Sequence, residues 1–169
     1  MSTEAARRRF REVVPPHLDA AYALAKWMSG NAADAEDIVQ EAALRALAAL
    51  ESTAPLKPRA WWLAVVRNTA LTWMARQRPK ALSFVEDLEA LGAEDQGPDP
   101  EAALISADEA TRVRDAIAAL PSPLRETLVL REIEDMDYRE IAQATQAPIG
   151  TVMSRLSRAR AALAKRLGT

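Results

Sequence analysis

Hydrophobic positions recur along this chain at intervals of three and four residues, the spacing that gathers side chains on one face of an α-helix. Leu18, Tyr22, Ala25 and Met28 form the first such stripe, behind Pro15 and Pro16, which suit a first helical turn where no amide donor is needed. Ser29-Gly30-Asn31 stops that helix. Asp34 then reads as the N-cap of a second helix, with Asp37 three positions on and a stripe through Ile38, Ala42, Leu44 or Arg45, Leu47 and Leu50. Pro55 and Pro58 break it. A third helix carries Trp61, Trp62, Val65, Val66, Thr69 and Trp73 and ends before Pro79. From Leu82 to Ile105 the periodicity lapses among acids, Gly92, Gly97, Pro98 and Pro100, which predicts a linker with room for a short helix near Phe84 to Leu91.

Helical spacing then resumes with Val113, Ile117 and Leu120, breaks at Pro121-Ser122-Pro123, and continues through Leu124, Leu128 and Ile133. The last two segments, Tyr138 to Thr145 and Ile149 to Leu167, are separated only by Gln146, Ala147 and Pro148, the layout of a helix-turn-helix. Ile141 and Ala142 are the apolar positions of the first. Val152, Leu156, Ala159 and Leu163 form the buried face of the second, opposite Ser154, Ser157, Arg158, Ala161 and Lys165, with Arg155 at the flank. The predicted fold is all-α. Two small helical domains, residues 9–80 and 108–169, are joined by a flexible acidic linker over 81–107, and the second contains the helix-turn-helix.

Composition agrees with short packed helices: Ala, Leu and Val supply most of the apolar residues and there are 5 glycines in 169 residues. The chain has no cysteine, which removes disulfides and thiolate metal ligation and suits a reducing cytoplasm. No apolar stretch follows the arginines of Met1 to Arg11 to make a signal peptide, and none reaches the roughly 18 residues of a membrane span. A cytoplasmic location without membrane insertion is expected. The net charge of -2 conceals segregation: Lys57 to Lys80 holds six basic residues and no acid, Gly150 to Thr169 five and none, and Glu86 to Glu109 nine acids and no base. Two basic blocks around an acidic stretch point to two sites for a polyanion. There is no glycine-rich phosphate loop, metal-ligand cluster or nucleophile-base set, and the only histidine, His17, reads as a surface or packing residue. No catalytic residue, metal, cofactor or small-molecule substrate is expected.

Asp137-Tyr138-Arg139-Glu140-Ile141-Ala142, followed by Pro148-Ile149-Gly150-Thr151-Val152-Met153-Ser154-Arg155-Leu156 and Arg158-Ala159-Arg160, closely resembles the carboxy-terminal domain of extracytoplasmic-function sigma factors of the sigma-70 family. Leu120-Pro121 and Leu124-Arg125-Glu126 resemble the helix preceding it. The resemblance implies that Thr151, Met153, Ser154, Arg155, Ser157 and Arg158 read an upstream promoter element, where Ser permits close approach and Arg can fork onto guanine or hold phosphate. Met153 departs from the Lys or Arg common there in the family. A second resemblance lies in Asp34-Ala35-Glu36-Asp37-Ile38-Val39-Gln40-Glu41, similar to the segment by which sigma factors dock on core RNA polymerase. It implies polymerase contacts by Asp34, Glu36, Asp37, Gln40 and Glu41, an acidic strip suited to basic side chains on a partner.

Arg59, Trp61-Trp62-Leu63, Val66-Arg67-Asn68-Thr69 and Arg76 resemble the family's segment that opens and reads the downstream promoter element. Asn68, Thr69, Leu71 and Thr72 are the candidates for a base-selecting loop, because an amide and hydroxyls can read base edges. Arg59, Arg67, Arg76, Arg78 and Lys80 would contact the strand, and Trp62 is a candidate platform for a base, although at least one of Trp61 and Trp62 should be core. Thr72 departs from an acidic residue common in the family. The implied partners are core RNA polymerase, promoter DNA and an inhibitory anti-sigma factor. The alternatives are a free-standing helix-turn-helix regulator, response-regulator-like, which would dimerise on a palindrome, and a helical scaffold, which needs no paired basic blocks.

Overall fold

The computed structural model describes residues 3–77 and 109–168. The predicted linker, its short helix near Phe84, and Arg78 and Lys80 lie outside the described residues. The elements are α1 (Thr3–Val13), a 3-10 turn (Pro15–His17), α2 (Leu18–Ser29), α3 (Ala32–Ala49) and α4 (Pro58–Gln77), then α5 (Glu109–Ala118), α6 (Ser122–Leu128), a π-helical turn (Val129–Ile133), α7 (Tyr138–Thr145) and α8 (Ile149–Leu167). Among the described residues there is no strand, as an all-α fold requires.

Helix α1 is not foreshadowed by periodicity, since its charged residues outnumber its apolar ones. It is held instead by a few anchors: Ala6 and Val13 are buried, and Arg9 Nη1 donates to the carbonyl oxygen of Leu50 at 2.8 Å. The two prolines shape a 3-10 turn before α2 rather than its first turn. Gly30 ends α2 with φ 87°, a left-handed conformation that favours glycine, and its N–H donates to the Lys26 carbonyl. The N-cap of α3 is Asn31, not Asp34. Asn31 Oδ1 accepts from the Asp34 amide at 2.7 Å while its Nδ2 donates to Asp34 Oδ2 at 2.8 Å, so Asp34 belongs to the first turn.

The buried faces are rotated from the simplest reading of the sequence. In α2 Ala21, Leu24, Ala25 and Met28 are inside, while Leu18 is exposed and Tyr22 half-buried. In α3 the inner face follows Ala35, Ile38, Val39, Ala42 and Ala46, and Leu44 is 70% exposed. Small alanines line the seam because α2, α3 and α4 pack closely against one another. Trp62, Leu63, Val66 and Ala70 of α4 fill the middle.

In the second unit α6 runs into the π-turn, closed by the Glu134 amide donating to the Val129 carbonyl five residues back. A π-turn advances more residues per turn than an α-helix and so re-phases the apolar stripe. Val129, Leu130 and Met136 are buried, and Ile133, expected inside, is exposed. Helix α7 starts on a capping box in which the Glu140 amide donates to Asp137 Oδ1 and the Asp137 amide to Glu140 Oε1. Gln146 turns the chain at φ 54°, and α8 begins directly after Pro148, as predicted. The units meet where α7 packs on α4 and α6 on α2, and their buried residues join in one continuous core.

Candidate nucleic-acid and partner interfaces

Three surfaces carry the residues singled out by sequence. The first is the outer face of α3. Glu36, Asp37 and Gln40 are exposed there, Asp34 is engaged by Asn31, and Glu41 is held by Arg45 at 2.8 Å and Arg76 at 3.3 Å. The strip therefore has three open polar positions rather than five. It also has an apolar one, since Leu44 follows Asp37, Gln40 and Glu41 at helical spacing on the solvent side. Leu44 was hidden by being counted in the core stripe; phasing that stripe on Ala42 and Ala46 would have revealed it.

The second surface is α4, which is one uninterrupted helix, so the expected base-selecting loop over Asn68 to Thr72 is absent. Two members of the candidate set are core residues. Trp62 is wholly buried with its Nε1–H donating to the His17 carbonyl at 3.2 Å, which corrects its assignment as a base platform. Thr69 is also wholly buried, its hydroxyl donating to the Val65 carbonyl at 2.7 Å, a common way for a helical threonine to satisfy itself. Asn68 is exposed and accepts from Arg67, Thr72 donates to the Asn68 carbonyl, and Leu71 is half-buried. Arg76 lies at the exposed end of α4 against Glu41.

The basic side chains at the start and in the middle of α4 turn toward the second unit. Arg67 makes a two-pronged pair with Glu126 of α6, Nε to Oε2 at 3.1 Å and Nη2 to Oε1 at 2.9 Å, with Arg67 13% and Glu126 3% exposed at the side chain. Arg59 Nη2 reaches Glu134 Oε1 at 3.2 Å, while Glu134 Oε2 is buried without a hydrogen-bond partner. Burial raises the Glu134 carboxyl above its ordinary pKa, against the opposing pull of Arg59. Burial, with Arg59 adding to it, lowers the His17 imidazole. Lys57, just before α4, lies 3.8 Å from Asp137 and 3.9 Å from Glu140.

The third surface is the outer face of α8. Met153, Ser154, Ser157 and Arg158 are exposed and Thr151 and Arg155 partly so, while Val152, Leu156 and Ala159 are buried and Leu163 half-buried. Arg160 is directed elsewhere, donating to Glu132 of the π-turn at 2.6 Å, and this hydrogen bond raises its pKa further. Arg131 stacks over the Tyr138 ring at 5.1 Å. The six candidate upstream readers thus share one accessible strip. Among the described residues there is no group of three acidic or histidine side chains that could hold a metal, and no helix long and apolar enough to cross a membrane.

Comparison with known proteins follows the same division of the chain. Residues 13–80 match the family Sigma-70 region 2, and residues 110–163 match Sigma-70, region 4. The chain is 33% identical over 168 residues to the ECF RNA polymerase sigma factor SigW of Bacillus subtilis (strain 168), covering 94% of this chain and 88% of that protein. It is 35% identical over 137 residues to the ECF RNA polymerase sigma-E factor of Escherichia coli (strain K12), covering 77% and 72%. Against ECF RNA polymerase sigma factor SigE of Mycolicibacterium smegmatis the identity is 32%, over 93% of this chain but 61% of the relative's length. Among solved structures, the sigma factor RpoE in complex with the anti-sigma factor NepR from Bartonella quintana superposes with a TM-score of 0.71 at 26% identity, covering 95% of this chain and 97% of that one. CnrH in complex with the cytosolic domain of CnrY gives 0.68 at 26% identity, covering 98% and 93%.

Proposed function

Since the chain belongs to the extracytoplasmic-function sigma factors of the sigma-70 family, we propose that its first unit, residues 9–80, binds core RNA polymerase through the outer face of α3 and meets the downstream promoter element with α4. The second unit, residues 108–169, reads the upstream element with α8. The observation that carries this is the pairing on one chain of an exposed acidic strip with a separate recognition helix whose outer face is Ser154, Ser157 and Arg158. Glu36, Asp37 and Gln40 supply charge and hydrogen bonds toward a basic partner, and Leu44 supplies apolar contact beside them. On α8, the small serines let the helix sink into a major groove, and Arg158 is long enough to reach guanine or phosphate. Met153, 51% exposed, offers an apolar contact such as a thymine methyl.

At the downstream element, Asn68 is the exposed amide and Arg59, Arg67 and Arg76 are the cations available on α4 once their present partners release them. Trp61 and Trp73, both half-buried, take the aromatic role from which Trp62 is removed. The chain performs no chemistry of its own and works in the cytoplasm, where polymerase carries out the reaction. Control by an anti-sigma protein is supported by the similar sigma factor RpoE, solved in complex with the anti-sigma factor NepR.

Run-off transcription with core polymerase, with and without this chain, on a promoter library tests the reading. Transcripts from a defined promoter class only when the chain is present are expected. No chain-dependent transcript would overturn it.

A further inference from the structure

The outer face of α8, which the reading above assigns to the upstream element, is not chemically uniform. Ile149 and Met153 stand one helical turn apart along one flank of it, 41% and 51% exposed, whereas Val152, Leu156 and Ala159 carry the apolar stripe inward. Thr151, Arg155 and Arg158 occupy the other flank, with Ser154 and Ser157 between the two. The cation of the apolar flank is Arg160, two turns beyond Met153, and it is withdrawn: its Nη2 donates to Glu132 Oε1 at 2.6 Å. Ile149 is not among the upstream readers that the sequence resemblance implies.

Gly150 gives this surface clearance. It is exposed, its backbone is not left-handed, and a Cβ built on it would meet nothing within 4 Å. Glycine is a poor helix former, and neither packing nor backbone conformation inside the protein asks for it here. What the missing side chain provides is room for a close approach from outside, on the same side of α8 as Ser154 and Ser157.

We infer that Ile149 and Met153 form a methyl-reading edge, which takes the C5-methyl groups of thymines on neighbouring base pairs of the upstream element. That methyl is the apolar group a base pair presents in the major groove, and apolar side chains read it by contact. One turn separates the two side chains by about 6 Å along α8, the span of one or two base-pair steps of about 3.4 Å. Arg155 and Arg158 on the polar flank hold the helix against phosphates and hydrogen-bonding base edges, while the apolar edge selects sequence. The inference rests on the functional reading for the fact that α8 meets DNA, and adds the chemical group that is selected.

Holoenzyme reconstituted from core polymerase and the full chain, on a promoter that gives a chain-dependent run-off transcript, provides the test. Each thymine of the upstream element, on either strand, is replaced in turn by deoxyuridine, which removes the 5-methyl and leaves base pairing intact. In competition binding the wild type is expected to prefer thymine about fourfold, the worth of burying one methyl, at each of two positions within about two base pairs of each other. Met153→Ala should bring this ratio to about one at one of the positions, and Ile149→Ala at the other. Each ratio compares two templates on the same protein, so incomplete folding of a variant cancels and only loss of the contact changes it. An upstream element without thymine, a wild-type ratio near one at every thymine, or a preference that survives both substitutions would overturn the inference. Loss of activity in either variant with no thymine preference in the wild type would give the edge to a protein partner instead, and overturn it equally. Failure of the sigma-factor reading shows differently, as the absence of any chain-dependent transcript.

Discussion

Asn31 does the work that spacing had given to Asp34, and the exchange is easy to understand: either residue can cap, and only the point where Gly30 reverses the backbone decides which one does. Asn31→Ala removes the acceptor for the Asp34 amide and should cost about 1 kcal/mol, read as a lowered denaturation midpoint. Gln146 presents the opposite case, a non-glycine residue at φ 54° in the turn of the helix-turn-helix. Left-handed backbone strains an L-residue by roughly 1–2 kcal/mol, partly offset by the greater freedom that glycine has when unfolded. Gln146→Gly should therefore raise stability by a few tenths to about 1 kcal/mol in the same denaturation experiment. Leu44 is the residue whose position most changes the functional picture. Because it is on the solvent side of α3, Leu44→Asp should leave the melting temperature within a degree or two while weakening capture of core polymerase, a combination that a core leucine could not give.

At the scale of elements, the sequence was most informative where local signals agreed. Tyr138–Thr145 and Ile149–Leu167 were legible to the residue, because Pro148 fixes a start and apolar positions recur at helical spacing. Helix α1 was not legible, since its stability comes from packing by Ala6 and Val13 and from Arg9 reaching Leu50, contacts remote in sequence. The π-turn was equally hidden: a single re-phasing residue is enough to expose Ile133 and bury Met136, and no propensity marks it. Part of the downstream site failed for a related reason. Thr69 and Trp62 have the chemistry of base readers, but the same face of α4 is also the one that closes the core of the first unit. On α8, Arg158→Ala should reduce initiation at promoters with a matched upstream element by about 1–3 kcal/mol if the contact is to a base, and equally on matched and mismatched elements if it is to phosphate. Comparing both templates decides between them, and no change on either would remove Arg158 from the interface. The cap of α7 adds a pH signature. The Glu140 amide, the main cause, holds the Asp137 carboxyl below its ordinary pKa, so the cap is fully effective above that ordinary value and is lost as pH falls through the lowered one.

Over the whole molecule, the arrangement of the two units was beyond the reach of periodicity, which identifies a buried face but not what covers it. Segregated charge was visible in the sequence, and among the described residues the acids that meet Arg67, Arg59 and Lys57 are Glu126, Glu134, Asp137 and Glu140, which periodicity does not single out. The raised pKa of Glu134, at the contact between the two units, gives the fold its own pH dependence. A carboxyl with a higher pKa when buried favours the folded state as pH falls through that raised value, and its contribution is lost as pH rises above it. The melting temperature of the chain relative to Glu134→Gln should thus rise as pH falls toward that raised value. The measurement belongs in a His17→Gln background, because the lowered pKa of His17 makes its protonation oppose the folded state in the same range. The ion pairs of α4 have one more consequence, for the ionic atmosphere. Cations that meet DNA from solution displace condensed counterions, and the salt slope of binding counts them. Arg59 and Arg67 exchange one anion for another when they leave Glu134 and Glu126 for phosphate, and the carboxylates they abandon gather small cations of their own. Promoter capture by the unaccompanied chain should accordingly be less sensitive to salt than a count of its arginines suggests, with much of the electrostatic driving force already spent within the protein.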